Sequence, residues 1–277
     1  MKEIWKISCL QLIINLVKTQ VGQNIFVVRY FSMINFKAIN IEEIPLEGIS
    51  WVSTENEDNI DGIIIKINDL NFQKLETYIK KSTPIFISNF FELKFENAQR
   101  LFKLATEAET LIQVNSPLRF ENQAKDIINS LGSFKLISFR KSLKNKSSIY
   151  FKELLFNEID SFISIVKART RKIQTFVIPE NKNPIETIDC RIDLDNGLIL
   201  KLLFSSNFPL EINQIELFGE NLFKALSYDE VLNEELNFKI QLEDFKYNIE
   251  NKTEPKASIE DGLTSLRILN EIFTKLA

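Results

Sequence analysis

The sequence predicts an α/β unit carrying a doubly wound parallel sheet, followed by an α+β unit with a mainly antiparallel open sheet. Three observations carry this. Strand-like and helix-like segments alternate through the amino-terminal part of the chain. After Gly132 the strands follow one another with little helix between them. Asn196-Gly197 sits between two apolar runs, which is a hairpin signal because positive φ is readily adopted there.

Along the chain, "EIWKISCL" and "NIFVVRYF" read as strands flanking a helix, "QLIINLVKTQVG". "DGIIIKI" is a continuous apolar run suited to a strand buried on both faces. "LNFQKLETYIKK" reads as a helix, "TPIFISNF" as a strand, "KFENAQRLFKLATEA" as a helix and "TLIQVNSP" as a strand. "RFENQAKDIINSLG" is a helix ended by Gly132, "SFKLISFRKS" a strand, and residues 150–168 a helix. The hairpin "ETIDCRIDLDNGLILKLLFSSN" follows, and "EINQIELFG", "NLFKALSY" and "LNFKIQLEDF" are expected to continue the sheet. The closing helix, 258–275, starts at Ser258, with Asp261 three residues on in the pattern of a capping box.

Composition excludes several classes. The 277 residues are 44% apolar and 26% charged, a soluble globular balance, with no run near the roughly 18 apolar residues of a membrane span. The apolar start lacks a compact basic segment and a small-residue cleavage site, so a cytoplasmic location is expected. Net charge is −4 with the basic residues dispersed, which argues against nucleic acid as a partner. Cys9 and Cys190 sit in apolar contexts and read as buried free thiols. There is no histidine, the commonest metal ligand and general base, and no metal site is expected. Only 7 glycines occur and no two are close together, whereas a phosphate-cradling loop needs them clustered.

The stretch "ENAQRLFKLATEAETLIQVNSPLRFENQAKDIINSLGSFKLISF", with Leu104-Ala105, Arg119-Phe120 and Gly132 in order, resembles the glucose–fructose oxidoreductase / inositol dehydrogenase family, known as Gfo/Idh/MocA. The closing "IEDGLTSLRILNEIF" is similar to that family's last helix, and the resemblance spans most of the chain. It implies a Rossmann-like dinucleotide-binding-type unit over 1–117, here degenerate, and the α+β sheet unit over 118–277.

Carried over residue by residue, the resemblance places the family's functional groups at altered positions. Where a glycine-rich turn is implied after the first strand, the chain reads "SCLQLIIN", with Leu10, Leu12 and Ile13 in the way of a pyrophosphate. After the second strand Arg29 is the one charged group, and the third strand leads to Ile67, Asn68 and Asp69 in place of a Thr-Pro-Asn-like loop. The family's Glu-Lys-Pro falls on Ser88, Asn89 and Phe90. Its Asp-x3-His pair falls on Glu153 and Asn157, and a carboxylate that often follows is matched by Asp160. Asn89 and Asn157 accept and donate hydrogen bonds but exchange no proton near neutral pH. Arg119 stands either in a structural salt bridge or against a ligand.

The expectation is therefore a family-like oxidoreductase fold with no intact catalytic residue and no cofactor, acting as a scaffold, regulatory or dimerisation partner. The partner is a second copy or an intact relative, met through the carboxyl-terminal sheet. Ile192, Leu194, Leu200 and Leu202 either line that interface or pack under the helices 150–168 and 258–275. Two alternatives stand beside it: an NAD- or NADP-dependent oxidoreductase acting on a sugar or nucleotide-sugar, and a non-catalytic sugar-binding protein.

Overall fold

The structure is a computed structural model that describes residues 14–15, 27–28, 33–52, 60–68, 72–120, 134–142, 148–178, 186–208, 212–227 and 234–275. The elements are β1 (Ile14–Asn15), β2 (Val27–Val28), β3 (Ile34–Ile39), β4 (Ile49–Trp51), β5 (Gly62–Ile65), α1 (Phe72–Lys80), β6 (Ile85–Ile87), α2 (Phe95–Glu107) and β7 (Ile112–Val114). There follow β8 (Phe134–Ser142), α3 (Ser148–Val166), β9 (Thr170–Ile178), β10 (Thr187–Leu194), β11 (Ile199–Ser205), β12 (Asn213–Gly219), β13 (Leu222–Ser227), α4 (Glu234–Asn251) and α5 (Ile259–Thr274).

A five-stranded, all-parallel sheet runs in the order β4-β3-β5-β6-β7. Its strands are buried on both faces, which is why "GIII" and "IFI" carry no polar alternation. One face sets Ile63, Ile65, Ile85 and Ile87 against Leu75 and Ile79 of α1 and Leu101 of α2. The opposite face sets Phe36, Ile64 and Phe86 against Leu242 and Phe245 of α4. The rings of Phe36 and Phe245 lie 5.4 Å apart, and Phe86 meets Phe238 edge-on at the same distance.

Several sequence expectations are corrected or completed here. "LNFKIQLEDF" is not a strand but lies within α4, which covers the parallel sheet instead of extending the other one. And the strand beside β5 is β3, "INFKAI", a stretch left unassigned from sequence. Within the expected helix "QLIINLVKTQVG", Ile14–Asn15 instead pairs antiparallel with Val27–Val28, while the remainder of that helix and "EIWKISCL" lie outside the described residues. The expected helix 119–132 also falls largely outside them, and its first residues form a 3-10 turn, Pro117–Phe120. The link from β3 to β4, residues 40–48, contains no helix, short for a parallel crossover. Packing of α4 explains how the sheet manages without one there.

The second sheet is six-stranded, β13-β12-β8-β11-β10-β9, antiparallel except where β8 and β11 run parallel. The β10–β11 hairpin turns through residues 195–197, with the Leu194 N–H bonded to the Leu198 carbonyl and Gly197 alone at positive φ (+84°). Thus the Asn-Gly signal marks a three-residue turn rather than the tightest type. Ile192, Leu194, Leu200 and Leu202 are all buried on the face covered by helices, where Phe139 of β8 and Phe162 of α3 meet at 5.0 Å. The opposite, open face mixes charged and polar side chains such as Arg191, Lys201 and Glu216 with apolar ones such as Phe176 and Phe223. At the start of α5, Ser258 and Asp261 form the reciprocal capping box the sequence indicates. Just before it the Val114 N–H bonds the Ala257 carbonyl, closing the outer edge of β7.

No helix among the described residues is long and apolar enough to cross a membrane.

Candidate functional site

In an open parallel sheet, ligands bind outside the carboxyl ends of the strands, where the strand order reverses. Here that point lies between β3 and β5. The chain leaves β3 through Asn40, at φ 57°, a left-handed conformation that Asn tolerates. Its amide donates to the Lys66 carbonyl just past β5, and the Lys66 N–H returns to the Ile39 carbonyl. Ile41, Leu46 and Trp51 then tuck against the α4 cluster, with the indole N–H 3.0 Å from the Ile44 carbonyl. Glu42, Glu43 and Glu47 point outward and are exposed.

Asn89 follows β6 and is buried. Its Oδ1 accepts from the Ile67 N–H at 2.7 Å and its Nδ2 donates to the Ile67 carbonyl at 2.9 Å. One side chain thus satisfies a donor and an acceptor of the loop after β5. A lysine ammonium has donors only and cannot make this clamp. Phe90 and Phe91 come next in a 3-10 turn, and both rings pack on Phe156 of α3, at 6.2 and 6.4 Å. This aromatic contact ties α3 to the carboxyl end of the parallel sheet.

On α3, Glu153 is half-buried, while Asn157 and Asp160 are buried. Asp160 is fully enclosed and accepts from the Ser116 hydroxyl, Arg119 Nε (2.6 Å), Arg119 Nη2 (2.8 Å) and the Ser265 hydroxyl (2.9 Å). Arg119 also donates to Asp261 (2.9 Å) and to the Lys256 carbonyl (2.6 Å). Burial alone would lower the Arg119 pKa, but the carboxylates of Asp160 and Asp261 outweigh it and hold it above its ordinary value. Arg119 and Asp160 therefore form a buried ion pair that joins the end of the first sheet to α3 and α5.

The network continues through residues that sequence reasoning did not single out. The Ser116 N–H donates to Gln241 Oε1, Gln241 Nε2 to Asn237 Oδ1, and Asn237 Nδ2 to the Pro117 carbonyl. Gln113, wholly buried on β7, donates to the Gln241 carbonyl. Polar residues at helical spacing on α4, Asn237 and Gln241, were the available signal. Among the described residues, no group of three or more His, Cys, Asp or Glu could hold a metal ion.

No protein-family model and no curated protein matches the sequence. Solved structures do match by fold. A probable dehydrogenase from Thermotoga maritima aligns with a TM-score of 0.71 at 13% identity, over 88% of this chain and 96% of that one. UDP-N-acetylglucosamine 3-dehydrogenase from Acidithiobacillus ferrooxidans aligns at 0.69 and 12% identity, over 88% and 97%. Scyllo-inositol dehydrogenase from Lactobacillus casei, holding NAD(H) and scyllo-inositol, aligns at 0.69 and 11% identity, over 88% and 96%. The chain has the fold of the Gfo/Idh/MocA dehydrogenases, a Rossmann-like unit followed by an α+β unit.

The expectation of no cofactor is corrected by this likeness, because proteins of the same fold hold NAD(H). Its steric ground has also moved. It rested on Leu10 to Ile13 following the first strand, whereas β3 takes the place beside β5 and the crevice opens at Asn40. The link 40–48 there provides neither a helix N-terminus nor paired glycines, so it does not rebuild the usual pyrophosphate cradle.

Proposed function

We propose that this chain is an oxidoreductase-like protein whose proton-transfer site has been dismantled, and that it serves as a dimerisation or regulatory partner. The observation that carries the reading is Asn89, at the position matching the family lysine. Its amide is held on the Ile67 backbone through Oδ1 and one N–H of Nδ2, and an amide transfers no proton near neutral pH. Asn157, matching the family histidine, cannot transfer one either, and Asp160 is committed to Arg119 and two serines. Glu153 is the one carboxylate left of the Asp-x3-His pattern. The two units, residues 1–117 and 118–277, meet where Ser116 donates to Asp160 and Gln241, and the second lends α4 to the first.

NAD(P)(H) is the dinucleotide that the fold likeness brings to this reading. A partner would sit on the open face of the six-stranded sheet, where Phe176, Ile178 and Phe223 are exposed. A cytoplasmic setting accords with Cys190 as a free thiol.

The test is an absorbance assay with NAD+ or NADP+ and a panel of inositols, sugars and UDP-sugars, beside a direct titration of NADH. No reduction of either dinucleotide is expected, whether or not NADH binds. Turnover that requires Glu153 would overturn the proposal in favour of an atypical dehydrogenase.

A further inference from the structure

Three places in the chain set an amide or carboxylate side chain immediately before a glycine: Asp61-Gly62, Asn196-Gly197 and Asp261-Gly262. At such a pair the glycine nitrogen can attack the side-chain carbonyl carbon, because no side chain on the attacking residue stands in the way. The structure separates the three. Asp61 Oδ2 accepts from the Asn35 N–H at 2.8 Å, and Gly62 is buried, with the Phe36 ring 2.9 Å from where a Cβ would stand. Gly262 lies inside α5 and donates to the Ser258 carbonyl at 3.0 Å, while the Asp261 carboxylate is held by Arg119 and Ser258. In both, the side chain is turned to a partner away from the glycine and the backbone is locked in regular structure.

Asn196 is the opposite case. Residues 195–197 are all exposed, and nothing lies within 4 Å of where a Cβ on Gly197 would stand. Asn196 Oδ1 accepts from the Leu198 N–H at 3.0 Å. That bond closes a ring containing the Gly197 nitrogen, so the side-chain carbonyl is folded back along the peptide that would attack it. The same N–H faces the negative charge that gathers on Oδ1 during the attack. The frame around the turn is fixed by the Leu194 N–H on the Leu198 carbonyl (2.9 Å) and by Asp195, whose N–H donates to the Arg169 carbonyl (2.9 Å) and whose Oδ1 takes the Arg169 N–H (3.1 Å). The Gly197 N–H gives up its bond to the Leu194 carbonyl, 3.1 Å, when its nitrogen attacks.

We propose that Asn196 is a site of spontaneous deamidation, set up by the β10–β11 turn. The Gly197 nitrogen bonds to Asn196 Cγ, the Cγ–Nδ2 bond breaks, and ammonia leaves with the proton that Gly197 releases. Water then opens the succinimide at either carbonyl, leaving an aspartyl or an isoaspartyl residue at position 196. The aspartyl form keeps an acceptor for the Leu198 N–H. The isoaspartyl form runs the backbone through the former side chain, which lengthens the turn and pulls it out of the Leu194–Leu198 frame.

The test follows the full chain at mildly alkaline pH, native and in urea, by peptide mapping with mass spectrometry and by labelling with an isoaspartyl methyltransferase. In the native chain the acid product is expected at Asn196 before any other asparagine, with isoaspartyl label at position 196 and at neither Asp61 nor Asp261. Its rate should lie within about tenfold of that in urea. N196Q, which would need a larger ring to react, should lose the signal, with a melting curve to show that it folds. Product or label appearing first elsewhere in the native chain, or persisting in N196Q, overturns the proposal. So does a native rate slower than in urea by more than about tenfold, since the turn would then protect the residue.

Discussion

Replacing Asp160 by Asn removes one charge and almost no volume from a fully enclosed polar group between the two sheets. The carboxylate accepts bonds from Ser116, Arg119 and Ser265 and is 0% exposed. An asparagine amide would turn an NH2 group toward some of those donors. Arg119 would keep Asp261 and the Lys256 carbonyl, but the Asp261 side chain is 41% exposed and its charge is screened. Breaking one partner of a buried pair costs about 3–5 kcal/mol, and the retained contacts put Asp160→Asn at about 3. That corresponds to a fall in Tm of about 6–12 °C if the per-kilocalorie shift of large domains applies. Urea unfolding at constant m-value gives the same quantity directly. Arg119, with its pKa raised, contributes stability that is lost only as pH rises through that raised value, so the Arg119 charge gives the effect no pH dependence between about pH 6 and 9. A loss below about 1 kcal/mol would refute the reasoning. So would a double variant, Arg119→Met with Asp160→Leu, whose cost equals the sum of the singles, since an apolar pair leaves no orphaned charge.

Three further outcomes are expected. Asn89→Lys should destabilise by about 2–4 kcal/mol because it orphans the Ile67 N–H and places an ammonium in a buried site; a neutral melting curve would contradict the clamp. Gly62→Ala should cost about 1–3 kcal/mol, since the new methyl would lie 2.9 Å from Cε1 of the buried Phe36, whereas an unchanged midpoint would show that ring to be free to move. Burial pushes the Cys190 thiol up to about 12, so mass spectrometry should find it unalkylated by iodoacetamide at pH 8 in the native protein. The sign of that shift also means its contribution to stability is intact below pH 9 and declines as pH climbs toward 12.

Two elements show how far the pattern of residues could be followed. "GIII" and "IFI" are apolar without interruption, and both are buried parallel strands. β3 escaped because Lys37 breaks its apolar run, yet Lys37 is buried with its ammonium 5.9 Å from the Tyr78 ring. α4 was misread for a related reason. Leu236, Phe238, Ile240 and Leu242 alternate like a strand, while Leu236 and Ile240 are in fact exposed. Its inward face mixes Phe238, Leu242 and Phe245 with the amides Asn237, Gln241 and Asn248. Buried amides are tolerable only with partners, and those of Asn237 and Gln241 come from residues 113–117, far away in sequence.

At the candidate site the same division holds. That Asn89 and Asn157 exchange no proton near neutral pH can be read directly, because residue type alone decides it. Which strand opens the crevice could not, because that depends on pairing between β3 and β5. The local sequence by itself determined the buried parallel strands β5 and β6, the β10–β11 hairpin, the cap at Ser258 and the residue types at positions 89 and 157. Only the tertiary structure decided that α4 returns to cover the first sheet, that Asn89 clamps Ile67, and that Arg119 closes on Asp160. Those outcomes turn on which distant groups meet and satisfy one another once water is excluded, and local periodicity carries no record of that.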